Sequence, residues 1–291
     1  MVSSPPRRIV CLTEETTETL YLLGEGQRVV AISGYTLRPP EARQKPRVSA
    51  FTTANIAAIL ALQPDLVLTF SDLQRDITRE LVGRGLTVFN FNQRSVEEIF
   101  EMMGTLARLV GAAARGAALE AELRAGLQAV AASAARFRHR PRVFFEEWPD
   151  PLISGIRWVE ELTALAGGVP IFPELLAAGA ARERIVDPAA AAARDPEVII
   201  ASWCGRKVKQ ETIRSRPGWN AIAAVSNGHL YQIRSTYILQ PGPAALTEGV
   251  RQLHHILCHV AGVEPPSALA PQEKMDNELL PRTGPAAGSI T

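Results

Sequence analysis

Apolar residues in this chain fall into short runs separated by stretches with helical spacing. Arg8–Leu12 reads as a strand. Glu14–Leu23 follows as a helix, with Leu20 and Leu23 three apart and Gly24 to stop it. Arg28–Ser33 is the next strand, and Asn55–Leu62 has helical spacing. Pro64-Asp65 then breaks into the buried run Leu66–Phe70. Asp76–Val82 predicts a short helix and Thr87–Phe91 another strand. Strands alternating with helices predict βα units and a mostly parallel sheet. Ser95-Val-Glu-Glu98 has the spacing of a capping box and opens a helix to about Leu109. Ala112–Phe137 is alanine-rich and free of proline; as a helix it spans about 40 Å at 1.5 Å per residue.

The second half repeats the grammar of the first. Arg142–Trp148 reads as a strand, and Trp158–Leu165 as a helix stopped by Gly167-Gly168. Leu62–Phe70 and Ala193–Trp203 share one order: helix, proline, acid, buried strand, then an aromatic at the strand's end. Further on come Gly205–Asn220 as loop or short helices, strand Leu230–Ile233, a Pro241-Gly-Pro243 turn and helix Ala244–Val260. The economical fold is α/β, with two Rossmann-like lobes of mostly parallel sheet joined by a long backbone helix. The divisions fall at residues 1–110, 111–138 and 139–263. Residues 264–291 form an extension that becomes disordered at its end. Two facing sets of carboxyl strand ends make a ligand cleft.

Composition narrows the function. The 291 residues are 46% hydrophobic and 21% charged, with a net charge of +1, which removes nucleic acid and anionic membrane from the partners. Cys11, Cys204 and Cys258 are odd in number and far apart, which fits no disulfide framework. No apolar run approaches the ~18 residues of a membrane span. Met1–Arg8 leads straight into Ile9 without an apolar leader region. This predicts a cytoplasmic protein, or a periplasmic one if a leader was trimmed.

No Walker loop, HExxH or GxSxG is present, and Gly24-Glu-Gly26 and Gly83-Arg-Gly85 lack a third glycine. The chemistry therefore lies at predicted strand ends: Glu14, Glu15, Phe70, Asn90, Asn92, Gln93, Glu147, Trp148, Trp203 and Tyr237. Tyr35 and Phe51 sit on loops after strand-like runs. Rings beside polar amides suit a large planar ligand, because stacking gives contact area at low rotamer cost. The other reading is that some of these rings plug strand ends. Trp203 and Tyr237 are the rings expected to face the ligand. Cys204, followed by Gly-Arg-Lys, is a ligand or nucleophile, or else a small partly buried thiol. His255 and His259, four apart, have metal-pair spacing, yet the helix dipole also favours histidine near a helix C-terminus. Glu14 and Glu15 are helix-dipole partners or ligand contacts.

The run Arg47-Val-Ser-Ala-Phe-Thr-Thr-Ala-Asn-Ile-Ala-Ala-Ile-Leu-Ala-Leu-Gln-Pro-Asp-Leu-Val67 resembles the vitamin B12-binding proteins of ABC importers. Their helical-backbone substrate-binding superfamily also holds siderophore, haem and metal receptors. Gly34-Tyr35 before Pro39-Pro40, Gly85–Phe89 ahead of Ser95–Ile99, Pro151–Gly155 and Gly167-Gly168 extend the resemblance from about Arg8 to Val260. It implies aromatic rings on both lobes around a corrin, with Tyr35, Phe51, Phe70 and Tyr237 on such positions. Asn90 stands where these receptors often carry tryptophan, a surface that Trp148 and Trp203 replace. It also implies one acid per lobe for docking an ABC permease. Asp76 matches the first, whereas Ile238-Leu239-Gln240 occupies the place of the second.

The resulting expectation is a monomeric binding protein without catalysis or a cofactor of its own, clamping a corrinoid. Two alternatives remain: a receptor for a ferric siderophore, haem or other metal complex, and a cytosolic corrinoid- or metal-handling enzyme or chaperone. The second would use Glu14, Glu15, Glu147 and Cys204 as acid/base or metal groups.

Overall fold

A computed structural model describes residues 4–273 and 275. The first sheet holds β1 (Ile9–Cys11), β2 (Val29–Ser33), β3 (Arg47–Ala50), β4 (Thr53–Ala54), β5 (Leu66–Phe70) and β6 (Val88–Phe91), in the order β4-β3-β2-β1-β5-β6. Every pair is parallel except the β3–β4 hairpin. β1 and β5 are buried along their whole length, which is why they read as unbroken apolar runs. The helices of this half are α1 (Glu14–Leu22), α2 (Ile56–Ala61), α3 (Arg75–Gly83) and α4 (Val96–Leu109). The capping box forms: Ser95 Oγ accepts the Glu98 N–H at 3.2 Å, and Glu98 Oε2 accepts the Ser95 N–H at 3.1 Å.

The long helix α5 runs over Ala113–Ala134 and leads to the second sheet. Its strands are β7 (Arg142–Pro149), β8 (Leu152–Ser154), β9 (Val169–Pro170), β10 (Val198–Ala201) and β11 (Leu230–Gln232). The order is β11-β10-β7-β8, and β9 also pairs with β7. Only β8 is antiparallel. Helix α6 (Arg157–Leu165) and the helix Val250–Val260 pack between the sheets. One apolar cluster runs from β1 and β5 through α4, α5, α6 and Val250–Val260 into β7 and β10. The lobes thus share a core, and each sheet has a smaller cluster on its other face.

Two sequence expectations change, and one strand pairing is new. Arg47–Ala54 is a hairpin that carries Phe51 at its turn, because two polar threonines there hid the short pairing. Tyr237 lies in a helical turn, Ser235–Ile238, not at a strand end. The predicted Ala244–Val260 helix opens as a π-helix, Ala245–Gly249, where Gly249 packs on the Tyr237 carbonyl in space that no side chain fits. The extension expected at 264–291 lies mostly outside the described residues. Its described part makes a turn at Ser267–Leu269.

Two glycines on α5 test the packing. A Cβ on Gly116 overlaps the Ala107 methyl of α4, whereas one on Gly126 meets nothing within 4 Å. Gly116→Ala should therefore cost about 1–3 kcal/mol through overpacking. Gly126→Ala should stabilise by up to about 1 kcal/mol through helix propensity. Urea midpoints of the two variants read the difference.

Candidate functional site

In the first sheet the chain order turns outward from β1 on one side and from β5 on the other. The carboxyl ends of β1 and β5 therefore flank a switch point, where open α/β sheets leave a crevice. Glu14 follows β1, and Phe70 ends β5. Gln74 ties this floor together. Its Oε1 accepts the Phe70 N–H at 3.0 Å, while its Nε2 donates to Leu12 O at 3.3 Å and Phe51 O at 2.7 Å. One fully buried amide thus fixes both strand ends and the hairpin turn. The Phe51 and Phe70 rings stand 6.4 Å apart, tilted by 46°. Arg94 covers the Phe70 ring at 5.1 Å and pairs with Asp72 at 3.4 Å. Asn90 joins β5 to β6, accepting from Thr69 Oγ1 at 3.2 Å and donating to Ser71 O at 3.3 Å. Tyr35 is 53% exposed, a ring free to stack.

The second lobe presents the ends of β7 and β10. Trp148 is half-buried, with its indole N–H on Asp150 O at 3.0 Å and the Arg206 guanidinium 5.3 Å from its ring. Trp203 lies elsewhere than expected. It is 5% exposed and belongs to the outer apolar cluster of the second sheet. Its indole N–H donates at 3.0 Å to Glu146, which is fully buried and held by Arg216 at 2.6 and 2.8 Å. A buried carboxylate needs such partners, and the indole supplies one, which draws the ring inward. Gln93 is likewise occupied: its Nε2 donates to Pro241 O at 3.0 Å across the lobes. Tyr237 is 8% exposed and lines a cavity of about 500 Å³ with Glu18, Tyr21, Arg38 and Arg234. The Arg38 guanidinium lies 5.7 Å from its ring.

Carboxyl groups concentrate here. Burial pushes Glu14 up to about 7, relieved slightly by the Ser33 hydroxyl. Burial, and then the Glu14 charge, push Glu15 up to about 8. In the second lobe Arg184, 1% exposed, donates to Glu147 at 2.6 and 3.2 Å and to Ser154 O at 2.5 Å. Beside it burial raises Glu160 to about 8. Cys204 is exposed, and burial of its thiol followed by the charges of Glu14 and Glu147 raises its pKa. Those two charges come from opposite lobes, so the strand ends face one another. A thiol held protonated in this way is not an activated nucleophile.

Sequence reasoning missed Gln74, Arg94, Arg184 and Glu160. Arg184 and Glu160 carried a signal only as charged residues close to apolar runs. Elsewhere, His254 Nδ1 lies 2.8 Å from Ala166 O, and no group of three metal-ligating side chains suited to an ion occurs among the described residues. Asp76 is exposed in the first turn of α3, 3.3 Å from Arg79. Ile238 is buried, and its carbonyl accepts the Trp158 indole N–H at 2.9 Å.

Two mostly parallel sheets with facing carboxyl ends, joined by one long helix and a shared helical layer, define a bilobed solute-binding protein. The chain belongs to the periplasmic binding protein family, which it matches over residues 9–237. A vitamin B12-binding protein of Vibrio cholerae serotype O1 is 26% identical over 253 residues, covering 83% of this chain and 86% of its own length. The crystal structure of the periplasmic vitamin B12 binding protein of Vibrio cholerae superposes with a TM-score of 0.71 at 25% identity, over 90% of this chain and all (100%) of that one. A periplasmic heme binding protein from Pseudomonas aeruginosa superposes with a TM-score of 0.77 at 20% identity, over 90% and 95% of the two chains. No helix among the described residues is long and apolar enough to cross a membrane.

Two predictions follow from the burial. Trp203→Ala should cost about 3–5 kcal/mol of stability, as for a core tryptophan, visible as a large fall in melting temperature. Glu14, Glu15 and Glu160 hold protons more tightly folded than unfolded. The folded state therefore binds more protons, and stability falls as pH rises from about 5 towards 8. Urea midpoints at pH 5, 6, 7 and 8 should decline in that order, and Glu160→Gln should flatten the decline.

Proposed function

We propose that this protein is the solute receptor of an ABC importer and that its cargo is a corrinoid, held between the lobes without chemical change. The observation that carries the reading is the first-lobe wall: Gln74 fixes the half-buried Phe51 and the end of β5 at Phe70 beside the switch point, and Tyr35 stands exposed on the loop after β2. Rings so placed suit a broad, planar, partly apolar ligand. The vitamin B12-binding protein of Vibrio cholerae, similar along most of this chain, gives that ligand its class. Binding without catalysis fits Cys204 and Glu147, since burial favours the protonated Cys204 thiol and the Glu147 carboxylate is committed to Arg184. The family and its periplasmic relative favour an extracytoplasmic site of action over the cytoplasmic expectation. On the permease-facing side Asp76 offers a charge from the first lobe. The second lobe has the buried Ile238 in the matching stretch, so docking there depends on other contacts.

Cyanocobalamin, cobinamide, hemin and a ferric siderophore, each titrated against tryptophan fluorescence and ligand absorbance, test the reading. Corrinoids should bind at micromolar Kd or tighter, about −8 kcal/mol. Tyr35→Ala should weaken them by about 1–3 kcal/mol while leaving the melting temperature unchanged, because the ring is exposed. Silence towards corrinoids up to near-millimolar concentration, with binding of hemin or the siderophore, would transfer the cargo to those metal complexes.

A further inference from the structure

The turn Pro241–Ala244 crosses from the second lobe to the first and is fastened at both ends. Gln93 Nε2 donates to Pro241 O at 3.0 Å, and the Ala244 N–H donates to Glu18 Oε2 at 3.2 Å, both in buried surroundings. Between these bonds Gly242 rests on Glu15. A Cβ at 242 would overlap the Glu15 Cβ and stand 3.1 Å from its Cα. Gly242 does not have a positive φ, so the lack of space, not backbone conformation, calls for glycine. Glu15 is 3% exposed, and its Oε1 is buried without a hydrogen-bond partner.

We propose that this turn is a clasp holding the two lobes together beside the ligand cleft, and that negative charge developing on Glu15 releases it. The groups around Glu15 argue for the release. On its own helix the charges that reach it among the described residues are Glu14 and Glu18, both acidic, and the hydrogen bonds that favour its charged form, from Thr13 and its own backbone, are outweighed by burial. From β1 comes the Cys11 thiol, which burial keeps protonated. The turn contributes proline, glycine, proline and alanine, with no cation. The nearby cation, Arg38, pairs with Glu18 at 2.9 Å and with Glu273 at 3.7 Å. An ionised Glu15 beneath the turn would be a buried charge without a counter-ion, whereas lifting the turn admits water to it.

The sign follows from linkage. Burial holds Glu15 up at about 8 with the clasp closed, and exposure returns it towards the ordinary carboxylate range. The closed state therefore binds the extra proton, so opening grows easier as pH rises from about 5 to 8 and levels off above. For one proton the change between pH 6 and pH 8 is up to about 50-fold.

Hydrogen exchange of the Ala244 amide, measured by NMR on the ligand-free full chain, reads clasp opening directly. Its protection factor, corrected for intrinsic exchange, should fall by more than tenfold between pH 6 and pH 8 in the wild type. In Glu15→Gln it should change by less than threefold. Gly242→Ala should lower protection at both pH values by forcing the turn outward. The Ile200 amide in mid-strand β10 is the control for folding, and it should stay better protected than Ala244 in all three proteins. A pH-independent wild-type protection factor, an equal fall in Glu15→Gln, or Ala244 exchanging only together with Ile200 would each overturn the clasp.

Discussion

The apolar layer shared by the two lobes governs the rest of the molecule. Leu20 of α1, Leu106 of α4, Leu127 of α5, Val159 of α6 and Leu257 of the last helix belong to one buried cluster that reaches both sheets. A two-lobed protein with separate cores hinges wherever its linker permits. Here the linker is a helix without proline, and its neighbours α4, α6 and Val250–Val260 bury the space a hinge would need. Burial at about 25 cal/mol per Å² makes separation of such a layer far costlier than breaking a few rim contacts. The two sets of strand ends are therefore held face to face by packing, and ligand binding need not assemble the cleft.

Holding strand ends apart by packing leaves their polar groups facing each other in reduced solvent, and the structure meets that demand with single residues that serve several elements. Gln74 satisfies three backbone groups from three segments. Glu146 accepts from Arg216 and Trp203. Arg184 joins Glu147 to the carbonyl of Ser154. Each has little freedom to reorient, because a lost bond would strand a buried group at about 1–3 kcal/mol. Glu15 and Glu160 each keep a buried carboxyl oxygen without a partner, and both respond by retaining a proton.

The fold was largely legible because its main signal is local. Apolar runs at Ile9, Leu66, Val143 and Val198 are strands buried on both faces, and the spacing between them leaves room only for helical crossovers. The Ser95–Glu98 box and the proline-free alanine stretch mark helices by their own chemistry. What stayed hidden depends on distant partners. The β3–β4 pairing is two residues deep, too short for any period to show. In the site, Glu14, Phe51 and Phe70 were placed correctly at strand ends or adjoining turns, since topology fixes those positions. Trp203 was not: its position follows from a strand, but its orientation follows from Glu146, which lies 57 residues from Trp203 and 70 from the Arg216 that holds it. Arg184 carried no more than a charge close to apolar runs, because nothing near it in sequence announces its buried ion pair with Glu147.

The two walls of the cleft differ in kind, and the difference follows from how each lobe treats its strand ends. The first lobe spends amides, Gln74 and Asn90, on its own backbone and leaves Tyr35 exposed and Phe51 half-buried, with Phe70 in the core behind them. The second lobe turns Trp203 inward to satisfy Glu146, so what remains at its surface is charged or polarisable: Glu147 held from below by the buried Arg184, Cys204, and Trp148 beneath Arg206. A ligand of the proposed kind would meet stacking on one side and hydrogen bonding on the other. A uniformly apolar molecule would leave the second wall's paired charges dehydrated, which costs more than its rings return. A small ion would leave the first wall's rings uncovered. The corrinoid proposed above, a flat body with polar groups around its edge, would fit this pair of surfaces, with Tyr35 and Phe51 toward its face and the charged rim at its periphery.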